Sequence, residues 1–227
     1  MHHLHVDLGA VMVEVSGWML PARYTSAESE LDRVRRAAGI ADISPTAKLS
    51  LQGRDLDSLL GDRVPGWRPP PVGTVGRPHT EGADGISGAR MARLADDEAL
   101  VLAGPGQAGQ IEQVLRSDSG RCAHVVDVTS AMAGVRLAGP AALDIVRSVT
   151  DLDLRPSVFP NMTCAQTKVA EVYGMILRVD AGDLPAYELF FGREFGEYMW
   201  DALMEAGGPA GLTPFGTEAA ALLERGS

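Results

Sequence analysis

The sequence predicts an α+β fold with a pseudo-symmetric core, mainly antiparallel sheets and flanking helices. Two observations carry this reading: a motif written twice, and short alternating strands that interleave with amphipathic helices. The first copy runs Asp42-Ile43-Ser44, then Leu49-Ser50-Leu51-Gln52-Gly53, then Leu56, Leu59 and Leu60. The second runs Asp127-Val128-Thr129, then Val135-Arg136-Leu137-Ala138-Gly139, then Ala142, Ile145 and Val146. Each copy reads as a strand, a glycine turn and a helix with apolar positions three and four apart. Matching halves of this kind leave room for a ligand between them.

The other elements follow in chain order. The opening segment through Gly17-Trp18-Met19-Leu20-Pro21 reads as strand and loop. A helix is expected over 27–38, capped by Thr25 or Ser26, favoured at its start by Glu28 and Glu30, and ended by Gly39. Residues 64–85 are rich in proline and glycine, including Arg68-Pro69-Pro70-Pro71, and predict a long surface loop. Segments 89–94 and 99–103 flank Asp96-Asp97 as a hairpin. A helix near 107–115 leads to a strand over 123–128. Strands over 165–191 are expected to turn at Tyr173-Gly174 and at Ala181-Gly182-Asp183. The last clear helix carries Phe195, Tyr198, Met199, Ala202 and Leu203, and Gly207-Gly208-Pro209 stops it.

Bulk properties narrow the function classes. The chain has 227 residues, enough for a full core, and is read as a single domain over 1–227 or two lobes divided near Gly120. Thirty acids against 20 bases give a net charge of −10, which argues against nucleic acid or an anionic membrane as partner. Two cysteines, Cys122 and Cys164, do not make a disulfide scaffold. No apolar run approaches the roughly 20 residues of a membrane span. A cytoplasmic location is expected.

Candidate chemical residues separate into weak and informative ones. His2, His3 and His5 have the donor type for zinc, but the start of a chain lacks the rigidity that ligation needs, and no metal is expected. His79 and His124 have no partner at a catalytic spacing. Cys164 reads as a small buried apolar residue rather than an activated nucleophile. In Tyr187-Glu188-Leu189-Phe190-Phe191, strand alternation places Tyr187, Leu189 and Phe191 on one face and Glu188 and Phe190 on the other. Glu188 is therefore either an exposed strand glutamate or a carboxylate facing a cavity, where it suits a ligand with two parallel N–H donors.

Beyond these readings, the chain resembles a known family. Leu8-Gly9-Ala10, Gly17-Trp18, Leu20-Pro21, Tyr24 and the run Arg36 to Ser44 resemble the N-terminus of the glycine-cleavage T-protein, the aminomethyltransferase. The segments around Tyr187-Glu188-Leu189, Phe195-Gly196, Trp200 and Pro214-Phe215-Gly216-Thr217-Glu218-Ala219 resemble the T-like part of sarcosine and dimethylglycine oxidases. Phe159-Pro160 with Cys164-Ala165-Gln166-Thr167 resembles the small gamma subunit of heterotetrameric sarcosine oxidase. The likeness covers nearly the whole chain and implies an aminomethyltransferase folate-binding-like fold in one-carbon metabolism.

The resemblance further implies a tetrahydrofolate pocket in which Glu188 pairs with the pterin N–H groups. Tyr187 and Arg178 match positions that line or support the pocket, and Tyr24 matches one that approaches it. Three departures accompany the likeness. The family's catalytic carboxylate segment is Ser87-Gly88-Ala89 here, an asparagine ending the next strand is Gly104, and relatives continue past Ser227 into a C-terminal barrel. No catalytic residue is thus identified, and enzymatic activity stands undecided. One reading is a folate-binding transferase of one-carbon or aminomethyl groups. The others are a non-catalytic gamma-like subunit beside a partner oxidase chain, and a pocket reused for another small molecule. Homo-oligomerisation is an equal partner option.

Overall fold

The computed structural model describes residues 1–64, 67–77, 88–116 and 123–225. A short helix, α1 (His2–Asp7), precedes a hairpin of β1 (Val11–Val15) and β2 (Trp18–Arg23), so the opening segment is helical over six residues where only strand and loop were expected. Next come α2 (Ala27–Arg36), β3 (Ala38–Asp42), β4 (Ala47–Gln52) and α3 (Leu56–Arg63). The middle of the chain holds β5 (Val75–Gly76), β6 (Arg90–Ala95), β7 (Glu98–Ala103), α4 (Ala108–Leu115) and β8 (His124–Asp127). Then follow β9 (Met132–Ala138), α5 (Ala142–Arg147), β10 (Thr163–Val169), β11 (Val172–Arg178) and β12 (Ala186–Gly192). The chain closes with α6 (Gly196–Gly207), β13 (Leu212–Pro214) and α7 (Thr217–Arg225).

Two larger sheets face each other. One has the order β10-β11-β12-β9-β3-β13 and the other β5-β6-β7-β4-β8. All pairing is antiparallel except β13 beside β3. Period-two alternation gives each sheet two apolar faces. Leu137, Tyr187, Leu189 and Ile176 pack outward against Ile145 of α5 and Met199, Trp200 and Leu203 of α6. Leu49, Leu51, Met91 and Val101 pack outward against Leu56 and Leu60 of α3 and Ile111 and Leu115 of α4. Between the sheets lie Ala92, Leu100, Leu102, Cys164, Leu177 and Phe190. The order is helices, six strands, five strands, helices.

The repeated motif holds the halves together by crossing over. Each aspartate caps its own turn: Ser44 N–H donates to Asp42 Oδ1 and Thr129 N–H to Asp127 Oδ1, both at 2.8 Å. The hydroxyls then reach the other copy's strand. Gly134 N–H donates to Ser44 Oγ at 3.2 Å, and Lys48 N–H donates to Thr129 Oγ1 at 3.0 Å. Main-chain bonds repeat the exchange, Ile43 N–H to Gly134 O and Val128 N–H to Lys48 O, each 2.9 Å. Accordingly β3 pairs with β9 and β8 pairs with β4, so pairing crosses the Gly120 position in both directions. Residues 117–122 themselves lie outside the described residues. Both motif glycines take positive φ, 145° at Gly53 and 122° at Gly139, as the strand-to-helix turn requires.

Three boundaries differ from the sequence expectation. The second helix ends at Arg36, and Gly39 sits inside β3, where an added Cβ would lie 2.5 Å from Val34 and 2.6 Å from Phe215. Its glycine serves close approach, not termination. The β10–β11 turn falls at Ala170-Glu171, with φ of 43° and 64°, instead of Tyr173-Gly174. Neither residue is a typical left-handed turn former, so no turn signal is written there, and Gly174 instead lets the Phe190 carbonyl come near. The helix α7 and the strand β13, unrecognised beyond Gly207, pack with α2 around Phe215, Ala219 and Leu223.

Candidate functional site

Glu188 looks into a cavity of about 650 Å³ between the two sheets. The alternation expected of β12 holds: Tyr187, Leu189 and Phe191 enter the outward core, and Glu188 and Phe190 face the other sheet. Glu188 is only 1% exposed. The floor and walls come from Leu20, Pro21, Ala41, Ile43, Phe215 and Gly216, with Gly88 and Gly104 opposite.

Two guanidinium groups surround the carboxylate. Arg136 is the direct cross-strand partner of Glu188 on β9, and donates from Nη2 at 2.7 Å and Nε at 3.2 Å, both to Oε1. Arg90, the first residue of β6, donates from Nη1 and Nη2 to Oε1 at 3.1 Å and from Nη2 to Oε2 at 2.9 Å. Arg136 also donates from Nη1 to Glu224 on α7 at 3.1 Å. Burial is the largest influence on Glu188 and acts to raise its pKa. The charges and hydrogen bonds of Arg90 and Arg136 together outweigh it, so the carboxyl stays below its ordinary value and ionised. Burial likewise opposes the charge on Arg136, and Glu188 and Glu224 reverse that effect.

The remaining cavity carboxylates are also occupied. Asp42 Oδ2 lies 3.2 Å from His5 Nε2, and Tyr24 Oη lies 2.8 Å from His5 Nδ1. His5 is fully buried, edge-on to Trp200 at 4.8 Å, and is thus a fixed part of the core rather than part of a mobile histidine cluster. Asp180 takes both Nε and Nη2 of Arg178, at 3.0 and 3.1 Å. Among the described residues no group of three metal-ligating side chains is assembled.

The four residues singled out from sequence are therefore brought together only in part. Glu188 lines the cavity. Tyr187 is completely buried on the opposite face, its hydroxyl without a hydrogen-bond partner among the described residues. Burial raises its pKa. Arg178 lies over the Tyr187 ring at 6.0 Å and holds Asp180, a cavity residue, without lining the cavity itself. Tyr24 stands behind Asp42 through His5, and burial raises its pKa. Ser87, His79, Asp84 and Cys122 lie outside the described residues. Asp96 and Asp97 sit in the β6–β7 turn, away from the cavity lining. Cys164 is buried, and burial pushes its thiol up to about 12, consistent with an inert packing role.

Arg90, Arg136, Glu224 and Asp42 were missed by sequence reasoning. Arg136 had a signal: alternation in Val135-Arg136-Leu137 places a charge on the face opposite two core residues. Lys48 also escaped notice. It is fully buried between the sheets, donates to the carbonyls of Ser44 and Thr46 at 2.7 and 2.8 Å, and its pKa is lowered to about 8, mainly by burial.

The profile of the GCVT N-terminal domain matches residues 1–225. The chain belongs to the GCVT N-terminal domain family. An aminomethyltransferase of Moorella thermoacetica is 30% identical over 231 residues, covering 93% of this chain and 58% of the relative. One from Streptomyces avermitilis is 33% identical over 219 residues, covering 94% and 58%. The chain thus spans under two thirds of the length of these relatives. The glycine cleavage aminomethyltransferase T of Bartonella henselae superposes with a TM-score of 0.79 at 18% identity, over 98% of this chain and 60% of that one. A chain of the heterotetrameric sarcosine oxidase of Corynebacterium sp. U-96 gives 0.62 at 20% identity, over 82% and 92%. The fold of this GCVT-domain chain is the aminomethyltransferase fold, α+β and rich in antiparallel strands, as its sequence implied. No described helix is long and apolar enough to cross a membrane.

Proposed function

We propose that the cavity binds a reduced pterin of the tetrahydrofolate type, with Glu188 as the group that recognises its ring. The observation carrying this reading is an ionised carboxylate, 1% exposed, lining a cavity of about 650 Å³. That volume suits a small-molecule ligand, since such sites span roughly 300–1,000 Å³. Apolar walls from Leu20, Ile43 and Phe215 fit a flat heterocycle. A carboxylate can accept two parallel N–H donors at once, the pattern of an amide beside an amino group. The relatives' name, aminomethyltransferase, supports aminomethyl transfer as the associated chemistry.

Calorimetric titration of tetrahydrofolate into the wild type and a folded Glu188→Gln variant tests the reading. Affinity should fall by about 1.5–3 kcal/mol, the scale of hydrogen bonds to a charged group. Equal affinities in the two proteins would remove the assignment.

A second reading is a folate-binding subunit without transfer chemistry. The run Ser87-Gly88-Ala89 favours it, because it stands where the family resemblance expects a carboxylate, and general acid–base groups contribute about 10²–10⁴-fold to rate. The similarly sized chain of sarcosine oxidase supports an oxidase partner. Copurification with such a chain at fixed stoichiometry, and no folate-dependent transfer by the isolated protein, would favour this reading. Turnover by the isolated protein would end it.

A further inference from the structure

We infer that Arg90 is a specificity-determining residue, a displaceable guanidinium that occupies the recognition face of Glu188 and must withdraw before a two-donor heterocycle can bind. The inference rests on the pterin reading above. Four of the five guanidinium hydrogen bonds to Glu188 fall on Oε1, and the single bond to Oε2 comes from Arg90. Arg90 alone bridges both oxygens. It presents two N–H groups side by side, the same donor pattern as the amide and amino group of a 2-amino-4-oxo ring. Ligand and Arg90 therefore compete for one surface.

The two arginines are not equivalent. Arg136 is fixed at both ends, to Glu188 on one side and to Glu224 on the other. The side-chain hydrogen bonds of Arg90 all end on Glu188 among the described residues. Arg90 comes from the opposite sheet, whereas Arg136 stands beside Glu188 on the neighbouring strand of the same sheet; both line the cavity with 14% of the side chain exposed. The Arg90 guanidinium can withdraw from Glu188 without breaking any strand pairing. Arg136 would stay and keep Glu188 ionised as the ligand arrives. The clamp also sets selectivity. A ligand offering one N–H donor cannot replace both contacts, so monodentate ligands are excluded.

Replacing Arg90 should then help a two-donor ligand rather than harm it. Isothermal titration with tetrahydrofolate is carried out on the wild type, Arg90→Leu, Arg90→Lys and the double variant Arg90→Leu with Glu188→Gln. Arg90→Leu should bind about tenfold or more tighter than wild type, the factor that one lost charge-assisted competitor represents. Arg90→Lys, which keeps the charge but not the fork, should fall between them. The double variant should lose the gain. Arg90→Leu binding equally or more weakly than a wild type that does bind would overturn the clamp alone, leaving the pterin reading intact. Absence of binding by both would remove the pterin reading and the clamp with it. Should Arg90→Leu fail to fold, Arg90→Lys carries the same comparison, and affinity at or below the wild-type level overturns the inference.

Discussion

Glu188 shows how much a single residue's environment decides. An isolated carboxylate buried to 1% exposure would be driven toward neutrality, yet Arg90 and Arg136 keep it charged. Its folded pKa is depressed, so its stabilising contribution is present above the unfolded value near 4.5 and is lost as pH falls through the folded value. Removing the charge takes the anionic partner from two largely buried guanidinium groups, of which only Arg136 keeps a second carboxylate. Glu188→Gln is therefore expected to cost about 3–5 kcal/mol in urea unfolding at neutral pH. A cost below about 1 kcal/mol would mean that the arginines find water instead. Lys48 titrates at the other end of the scale. Its pKa is lowered from 10.5 to about 8, so between those values the unfolded chain holds a proton that the folded chain has released. Stability should rise with pH across that window. The urea midpoint should increase from pH 8 to about 9.5 in the wild type relative to Lys48→Met, and a flat difference would show that Lys48 stays charged when buried. The sequence displayed both residues but not their burial. Glu188 stands out because it lies between large apolar neighbours, whereas no pattern in the sequence marks Lys48.

At the scale of elements, α7 does most to shape the site, and it was not recognised from sequence. It contributes Glu224 to the arginine cluster, and the turn before it closes one wall through Phe215 and Gly216. Glu30 of α2 fixes that turn. Its Oε2 accepts from Gly216 N–H at 2.8 Å, while Oε1 accepts from Tyr24 and Thr25 N–H at 2.6 and 2.7 Å. A Cβ at Gly216 would sit 2.2 Å from the Ala22 carbonyl oxygen, so β2 and the start of α7 cannot both keep their places around an alanine. Gly216→Ala should destabilise by about 1–3 kcal/mol, the cost of forced overpacking, with a matching fall in thermal midpoint. An unaltered midpoint would show that the turn yields easily. The hairpin β6–β7, the helix α4 and the strands around Glu188 were legible because alternation and periodicity are local properties. The β10–β11 turn was not, because packing of Gly174 against Phe190 sets its register.

At the scale of the whole molecule, the twin motifs tie the two sheets to each other. Ser44 and Thr129 each tie their own turn to the strand of the other copy. Ser44 is buried and Thr129 partly so, and Ser44→Ala leaves the Gly134 N–H without a partner. Ser44→Ala should cost about 1–3 kcal/mol and Thr129→Ala about 1 kcal/mol in chemical denaturation. If neither shifts the transition, the crossing is held by main-chain pairing alone. The cavity lies between the sheets thus joined, so a ligand bound there should stabilise the entire fold. Tetrahydrofolate at about a hundred times its Kd should add about 2.7 kcal/mol, read as a rise in thermal midpoint, and no rise would count against the proposed ligand. The repeat, the fold class and the strand face that Glu188 shares with Phe190 follow from sequence alone, since strand period and motif spacing are written along the chain, whereas the cavity beside that face does not. Only tertiary structure decided that Glu188 meets Arg90 and Arg136, that His5 lies behind Asp42, and that Tyr187 turns away from the cavity. Those contacts join residues far apart in the chain, and their partners depend on how two sheets stack, which no local pattern encodes.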